Sequence, residues 1–232
     1  MMLEIFNVDK RFGNKIIFQD ANIRILPGER VALIGKNGIG KTTLFKMIVG
    51  IIKPDQGMIK LNGKDLYQHP KERKKIGYVP VDSFFYEKLT VKENLELICS
   101  LYRVMNASKE IKKYSNLFGA LDFLNEPVGN LSSGMKKRVS FISGMIHNPE
   151  ILILDEPFNA LDLKTVNILK DQLNQFHGTL IFTSHLPETI YGIANHLLFL
   201  DDHFVIKKIP IHNQTKLDLL SFIEKLTIGH PL

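Results

Sequence analysis

The chain has 232 residues, 44% of them apolar and 23% charged, enough to bury a core without disulfides or a structural metal. Its single cysteine, Cys99, excludes an intrachain disulfide framework and fits a reducing compartment, where it reads as a small apolar residue on a helix. The net charge of +6 does not choose between nucleic acid, an anionic membrane and small polyanions, because the basic residues form short clusters (Lys71 to Lys75, Lys136 to Arg138) and no long arm interleaved with aromatics.

The opening Met1-Met2-Leu3-Glu4-Ile5 has neither the basic flank nor the long apolar run of a secretory signal. Leu3 to Val8 and Ile16 to Ile25 alternate with the period of two expected of strands. A turn at Pro27-Gly28-Glu29 precedes an apolar strand, Val31 to Ile34, and a glycine-rich loop then leads into a helix from about Lys41 to Gly50. Met58 to Leu61 reads as a strand entering a hairpin at Asn62-Gly63.

From about Phe84 to Ile146 the apolar spacing becomes helical, with Val91, Leu95, Ile98 and Tyr102 on one face and Ile111, Tyr114, Leu117, Phe118 and Leu121 on another. Strands return after Pro149, at Ile151 to Leu154, Thr179 to Thr183 and Leu197 to Leu200, with helices between them. Such alternation predicts a mainly parallel sheet covered on both faces. Thr215 to Leu226 reads as a closing amphipathic helix. The longest apolar runs fall far short of the roughly 20 residues that span a bilayer, so the chain is not expected to cross a membrane by itself.

Gly35-Lys36-Asn37-Gly38-Ile39-Gly40-Lys41-Thr42 is a complete P-loop pattern between a predicted strand and a predicted helix. Glycines let successive backbone N–H groups meet phosphate oxygens, and the following helix points its positive end at the same anion. Lys41 would reach the β- and γ-phosphates, and Thr42 would offer its hydroxyl to Mg²⁺. With glycine near 7% of residues, chance gives this pattern in about one such chain in a hundred, so nucleoside triphosphate binding is the strong reading. Asn37, Gly38, Gly40, Lys41, Thr42 and Thr43 are the expected contacts.

Ile151-Leu152-Ile153-Leu154-Asp155-Glu156 is an apolar run ending in two carboxylates. A buried parallel strand would deliver both to the sheet edge from which the P-loop emerges. There Asp155 could hold the metal through water and Glu156 could polarise the attacking water. A solvated strand exit at Asp-Glu-Pro is the plainer alternative.

Further segments resemble, in order, those of the ATP-binding subunits of ABC transporters, and the resemblance covers nearly the whole chain. Lys10-Arg11-Phe12-Gly13 resembles the loop whose aromatic ring stacks on adenine, which would make Phe12 that ring. Leu131-Ser132-Ser133-Gly134-Met135 resembles the family signature, in which Ser132 and Gly134 would meet the γ-phosphate of a second subunit's nucleotide. Ala160-Leu161-Asp162 resembles the loop that crosses between subunits, and Thr183-Ser184-His185 the switch histidine that senses the γ-phosphate. Ile76 to Pro80 resembles the segment leading to the loop that communicates with the membrane partner. Two positions depart from the pattern. Val81 stands where a glutamine usually reaches the metal and water, and Ser133 and Met135 replace the usual Gly and Gln of the signature.

The resemblance implies an α/β P-loop NTPase with an N-terminal antiparallel β subdomain and a helical subdomain, roughly 84–147, inserted in a single ATP-binding domain spanning 1–232. It implies ATP and Mg²⁺ as ligands, with Thr42 and Asp155 at the metal and Glu156 and His185 at the hydrolytic centre. A second nucleotide-binding subunit, identical or not, and a transmembrane permease on a separate chain would be the partners. The site would lie on the cytoplasmic face of the membrane, with no direct nucleic-acid contact. The segments Leu89 to Leu95 and Gly134 to Arg138 resemble single-cassette exporters. A weakly hydrolysing regulatory subunit, or a soluble ATPase acting on ribosomes or DNA, are the alternatives.

Overall fold

A computed structural model describes residues 1–159, 161–184, 187–201, 206–211, 217–221 and 223. Among the described residues the elements follow in chain order from β1 (Leu3–Phe12), β2 (Lys15–Ile25), β3 (Arg30–Ile34), α1 (Lys41–Ile48), β4 (Gln56–Leu61), β5 (Lys64–Asp65) and β6 (Ile76–Val79). The helices α2 (Val91–Tyr102), α3 (Ala107–Leu117) and α4 (Ser133–Met145) come next. The chain returns through β7 (Ile151–Leu154), α5 (Leu163–Gln175), β8 (Thr179–Thr183), α6 (Pro187–Tyr191), β9 (His196–Leu200) and β10 (Ile206–Pro210). Residues 217–221 and 223 are helical, and the other residues of the predicted closing helix lie outside the described residues.

Two sheets form. The smaller, ordered β2-β1-β4-β5, is antiparallel, and the larger is ordered β10-β9-β3-β8-β7-β6. The pairs β9–β3, β3–β8, β8–β7 and β7–β6 are parallel, and β10 adds an antiparallel edge. All five parallel strands therefore present their carboxyl ends along one edge.

Alternate residues of these strands feed two separate cores. Val31, Leu33, Ile151, Ile153 and Ile181 pack with Leu44 and Phe45 of α1 and with Leu3, Ile5 and Ile59 of the small sheet. Ala32, Ile34, Leu152, Leu154, Leu180 and Phe182 pack instead with Leu95, Phe141 and Leu169 from the helices. One face is thus covered by helices and the other largely by the antiparallel sheet.

Local chemistry sets the helix starts. Thr90 Oγ1 accepts from the Glu93 N–H at 3.2 Å while the Glu93 carboxylate accepts from the Thr90 N–H at 2.8 Å, a reciprocal cap on α2. Ser132 caps α4 and Asp162 caps α5 in the same way, without the return bond. The C-terminal part of α4 presses directly on β6. A Cβ built on Gly77 would lie 2.1 Å from the Gly144 carbonyl oxygen, and one on Gly144 would lie 2.7 Å from the Val79 side chain. Among the described residues no helix is long and apolar enough to cross a membrane.

Candidate active site

β3 runs into the glycine loop, which opens α1. Gly40, at φ +122°, caps the helix, and a Cβ there would stand 2.6 Å from Ile17, so both backbone angle and space demand glycine. Asn37 and Gly38 are exposed, Thr42 and Thr43 half-buried, and Lys41 buried. The Lys41 ammonium donates to the carbonyl oxygens of Gly35 at 2.7 Å and Lys36 at 3.0 Å. Burial lowers its pKa, and the carboxylates of Glu156 and Asp155 raise it in opposition. A cation held this way is shielded and close to where further negative charge would settle.

β7 lies two strands from β3, and its end delivers Asp155 and Glu156 to the same edge. Asp155 is 1% exposed. Its Oδ1 accepts from the Thr183 hydroxyl at 3.1 Å, while its Oδ2 is buried without a hydrogen-bond partner. Burial raises the Asp155 pKa, and the hydroxyls of Thr42 and Thr183 nearby pull it back. A buried carboxylate oxygen without a donor, beside a threonine hydroxyl, is the ligand chemistry of a hard divalent cation, and such an ion would reverse the upward shift.

Glu156 adopts φ +47°, a left-handed conformation that costs a residue with a Cβ about 1–3 kcal/mol. Its N–H donates to Thr183 Oγ1 at 2.6 Å, which holds that backbone in place, and its carboxylate accepts from the Asn159 side-chain amide.

The neighbouring segments vary in how they reach this edge. Phe12 ends β1 inside the strand instead of in a loop, with its ring 48% exposed. Lys10 lies 5.2 Å from the ring centroid and is tied to Asp55 at 2.8 Å, so the ring sits on a fixed base. Ser132 is spent on its cap, accepting from the Met135 N–H at 3.3 Å, and Gly134 lies in the first turn of the same helix. Asp162 accepts from the Thr165 N–H at 2.8 Å and from Arg138 at 3.0 Å, which holds its pKa low. Within one chain, then, Lys41, Thr42, Asp155 and Glu156 gather, while Ser132, Gly134 and Asp162 are held by their own helices. His185 lies outside the described residues, as does Ala160.

Thr183 is the residue that sequence reasoning missed. As the buried last residue of a strand it reads as a plain β-former, and only the parallel register of Leu154 with Phe182 sets it beside Asp155.

A family model described as ABC transporter matches residues 18–159, well over half of the chain. The chain belongs to the ABC transporter ATP-binding family. It is 32% identical over 216 residues to the ABC transporter ATP-binding protein NatA of Bacillus subtilis, covering 88% of each chain. It is 32% identical to the ergothioneine transport ATP-binding protein EgtV of Helicobacter pylori, covering 85% of this chain and 96% of that one. Against the sulfate/thiosulfate import ATP-binding protein CysA of Pectobacterium atrosepticum the identity is 33%, covering 87% of this chain and 64% of the other. A solved structure titled as an ATP binding subunit of an ABC transporter superposes with a TM-score of 0.87 at 25% identity, covering 97% of this chain and 100% of that one. The members of this family are ATPases, and this chain is an ATP-binding, ATP-hydrolysing subunit of the ABC type. Subunits of this kind pair with membrane permease subunits.

Proposed function

We propose that the whole chain acts as one cytoplasmic ATP-binding unit, with the helical lobe of roughly 84–147 inserted in it, peripheral on the inner face of the membrane. ATP drives it to dimerise, as a homodimer or heterodimer, and so to work a permease on a separate chain. The observation that carries this reading is the buried, donor-less Oδ2 of Asp155, set beside Thr42 and adjoining the strained Glu156. Phe12 stacks on adenine, and Asn37, Gly38, Gly40, Lys41, Thr42 and Thr43 hold the phosphates. Mg²⁺ held by Thr42 and Asp155 would supply neutralisation of the β- and γ-phosphates. Glu156 takes the proton of the attacking water, and His185 contacts the γ-phosphate.

Ser132, Gly134 and Asp162 complete the pocket of a second subunit when two copies close. The triphosphate then gains donors from both sides, and its hydrolysis removes them. Support for a permease partner comes from a groove of about 540 Å³ between β6, α2 and α4. Ile51 and Leu101 in its walls are 64% and 62% exposed, and Arg73 and Lys74 lie beside them. Large apolar side chains left open in this way mark contact surfaces.

Export is the direction supported by the stretch Leu89 to Leu95 and by Gly134-Met135-Lys136-Lys137-Arg138. The second reading, import, is favoured by relatives named as import proteins, such as CysA. Vesicles carrying the chain with its copurified permease decide between them, since ATP supplied on one side either fills or empties the lumen.

The mechanism itself is tested by Glu156→Gln. Loss of a general base lowers turnover by about 10²–10⁴-fold, so the variant should bind ATP, dimerise on a sizing column and hydrolyse at that reduced rate. Turnover equal to that of the parent chain removes Glu156 from the role.

A further inference from the structure

Lys137 is 5% exposed, and among the described residues no carboxylate lies within ion-pair distance of its ammonium. It donates to the backbone carbonyl of Pro80 at 3.0 Å, with longer contacts to the carbonyls of Asp155 at 3.4 Å and Val81 at 3.5 Å. These three oxygens belong to the exits of β6 and β7, the strand ends that carry the Val81 position and the Asp155–Glu156 pair. The cation itself comes from α4, one turn beyond Ser133, where the signature helix begins. Burial lowers its pKa, and the charges of Asp155, Glu156 and Asp82 favour keeping it protonated.

A methionine would fill much of the same volume without taking a charge out of water, but it would leave the Pro80 carbonyl without this donor. What the ammonium adds is directional. Its donors join a helix of one lobe to two strand ends of the other. The side chain of Val81 has no polar group with which to make a link of its own at this point.

We infer that Lys137 is a positioning residue for hydrolysis, a buried cation that ties the start of the signature helix to the backbone supporting Asp155 and Glu156. Closure of a second subunit on Ser132 and Gly134 bears on the same helix, and through Lys137 it reaches the backbone that aims the base. This inference rests on the proposed role of Glu156. It concerns only how that carboxylate is held.

The test compares Lys137→Met, Lys137→Arg, Glu156→Gln and the double variant Lys137→Met with Glu156→Gln, each measured for melting temperature, ATP affinity and steady-state kcat and KM. Displacing a catalytic group by about 1 Å can cost about 10²-fold in rate. Lys137→Met should therefore lose ten- to a hundredfold in kcat, with ATP affinity and KM within twofold of the parent. Lys137→Arg, which keeps the charge and its donors, should recover most of that loss. In the Glu156→Gln background Lys137→Met should lower kcat by less than twofold, because the group it positions is already gone.

A Lys137→Met enzyme with parental kcat overturns the inference, as does a loss of kcat matched by an equal loss of ATP affinity, or full additivity with Glu156→Gln. If the methionine variant does not fold, Lys137→Gln against Lys137→Arg makes the same comparison, and equal rates overturn it. Parental turnover in Glu156→Gln would instead sink the reading of the base, which separates the two failures.

Discussion

Asn94 allows a quantitative prediction about the loop between β6 and α2. It is 2% exposed, and its side-chain oxygen accepts from the Tyr86 N–H at 2.9 Å. Its amide donates to the carbonyls of Tyr86 at 3.1 Å, Leu89 at 3.3 Å and Thr90 at 2.9 Å. Each of those carbonyls has a second donor, from the N–H groups of Leu89, Val128 and Asn94 respectively. Asn94→Ala therefore removes the Tyr86 N–H's acceptor together with the three amide bonds, each worth about 0.5–1.5 kcal/mol net.

A destabilisation of about 2–3 kcal/mol is expected, or about 5–10 °C in melting temperature at the ~2–4 °C per kcal/mol typical of this size. Asn94→Asp keeps the acceptor for Tyr86 but turns a carboxylate oxygen toward three carbonyl oxygens, so it should be the more damaging change despite its shape. Urea unfolding followed by circular dichroism measures both. A loss below about 0.5 kcal/mol for alanine, or an aspartate variant more stable than the alanine one, refutes the reasoning.

The contact between α4 and β6 predicts that Gly77→Ala is worse than Gly144→Ala, because the first meets a backbone oxygen at 2.1 Å and the second a Val79 methyl at 2.7 Å and a backbone oxygen only at 3.3 Å. Overpacking of about 1–3 kcal/mol is expected for the second, read by the same unfolding assay, and equal losses would contradict it. His147 stacks on Tyr102 at 3.9 Å, and burial pushes its pKa from 6.5 down to about 4. Its neutral form is the folded one, so its contribution is full above pH 6.5 and fades as pH falls toward 4, by up to about 3 kcal/mol. His147→Phe should flatten that part of the stability–pH curve, and an unchanged curve would exclude His147 as its source. Phe12→Ala should weaken ATP binding by about 1–3 kcal/mol, the worth of one base–aromatic stack, while Phe12→Trp keeps it. Titration with a fluorescent nucleotide reads both, and unaltered affinity in the alanine variant would dismiss the ring.

The parts of this molecule that could be read from sequence are those whose cause is local. The glycine loop is contiguous, and the buried strands β3, β7 and β8 are short apolar runs. β1 was legible only to Val8, because Asn7 takes φ +48° and the pairing register shifts there, which breaks the alternation. β10 carries Lys207, Lys208 and Pro210, a composition suited to a sheet edge and too polar to signal a strand. Thr183 and Lys137 act through partners 28 and 57 residues away, and no pattern within either segment marks them.

The glycine contact has a mechanical side. Gly144 sits eleven residues along α4 from Ser133, which at about 1.5 Å of rise per residue makes a rigid arm of about 16 Å. With its far end seated on β6, a tilt of about 10° about that fulcrum swings the serine tip by about 3 Å, roughly the span of one hydrogen bond. Lys137, nearer the pivot, would travel about 2 Å, and Val139, Phe141 and Ile142 along the same arm are buried, so both the core and the bond to Pro80 resist that swing and hold the serine tip at a fixed reach from the strand ends.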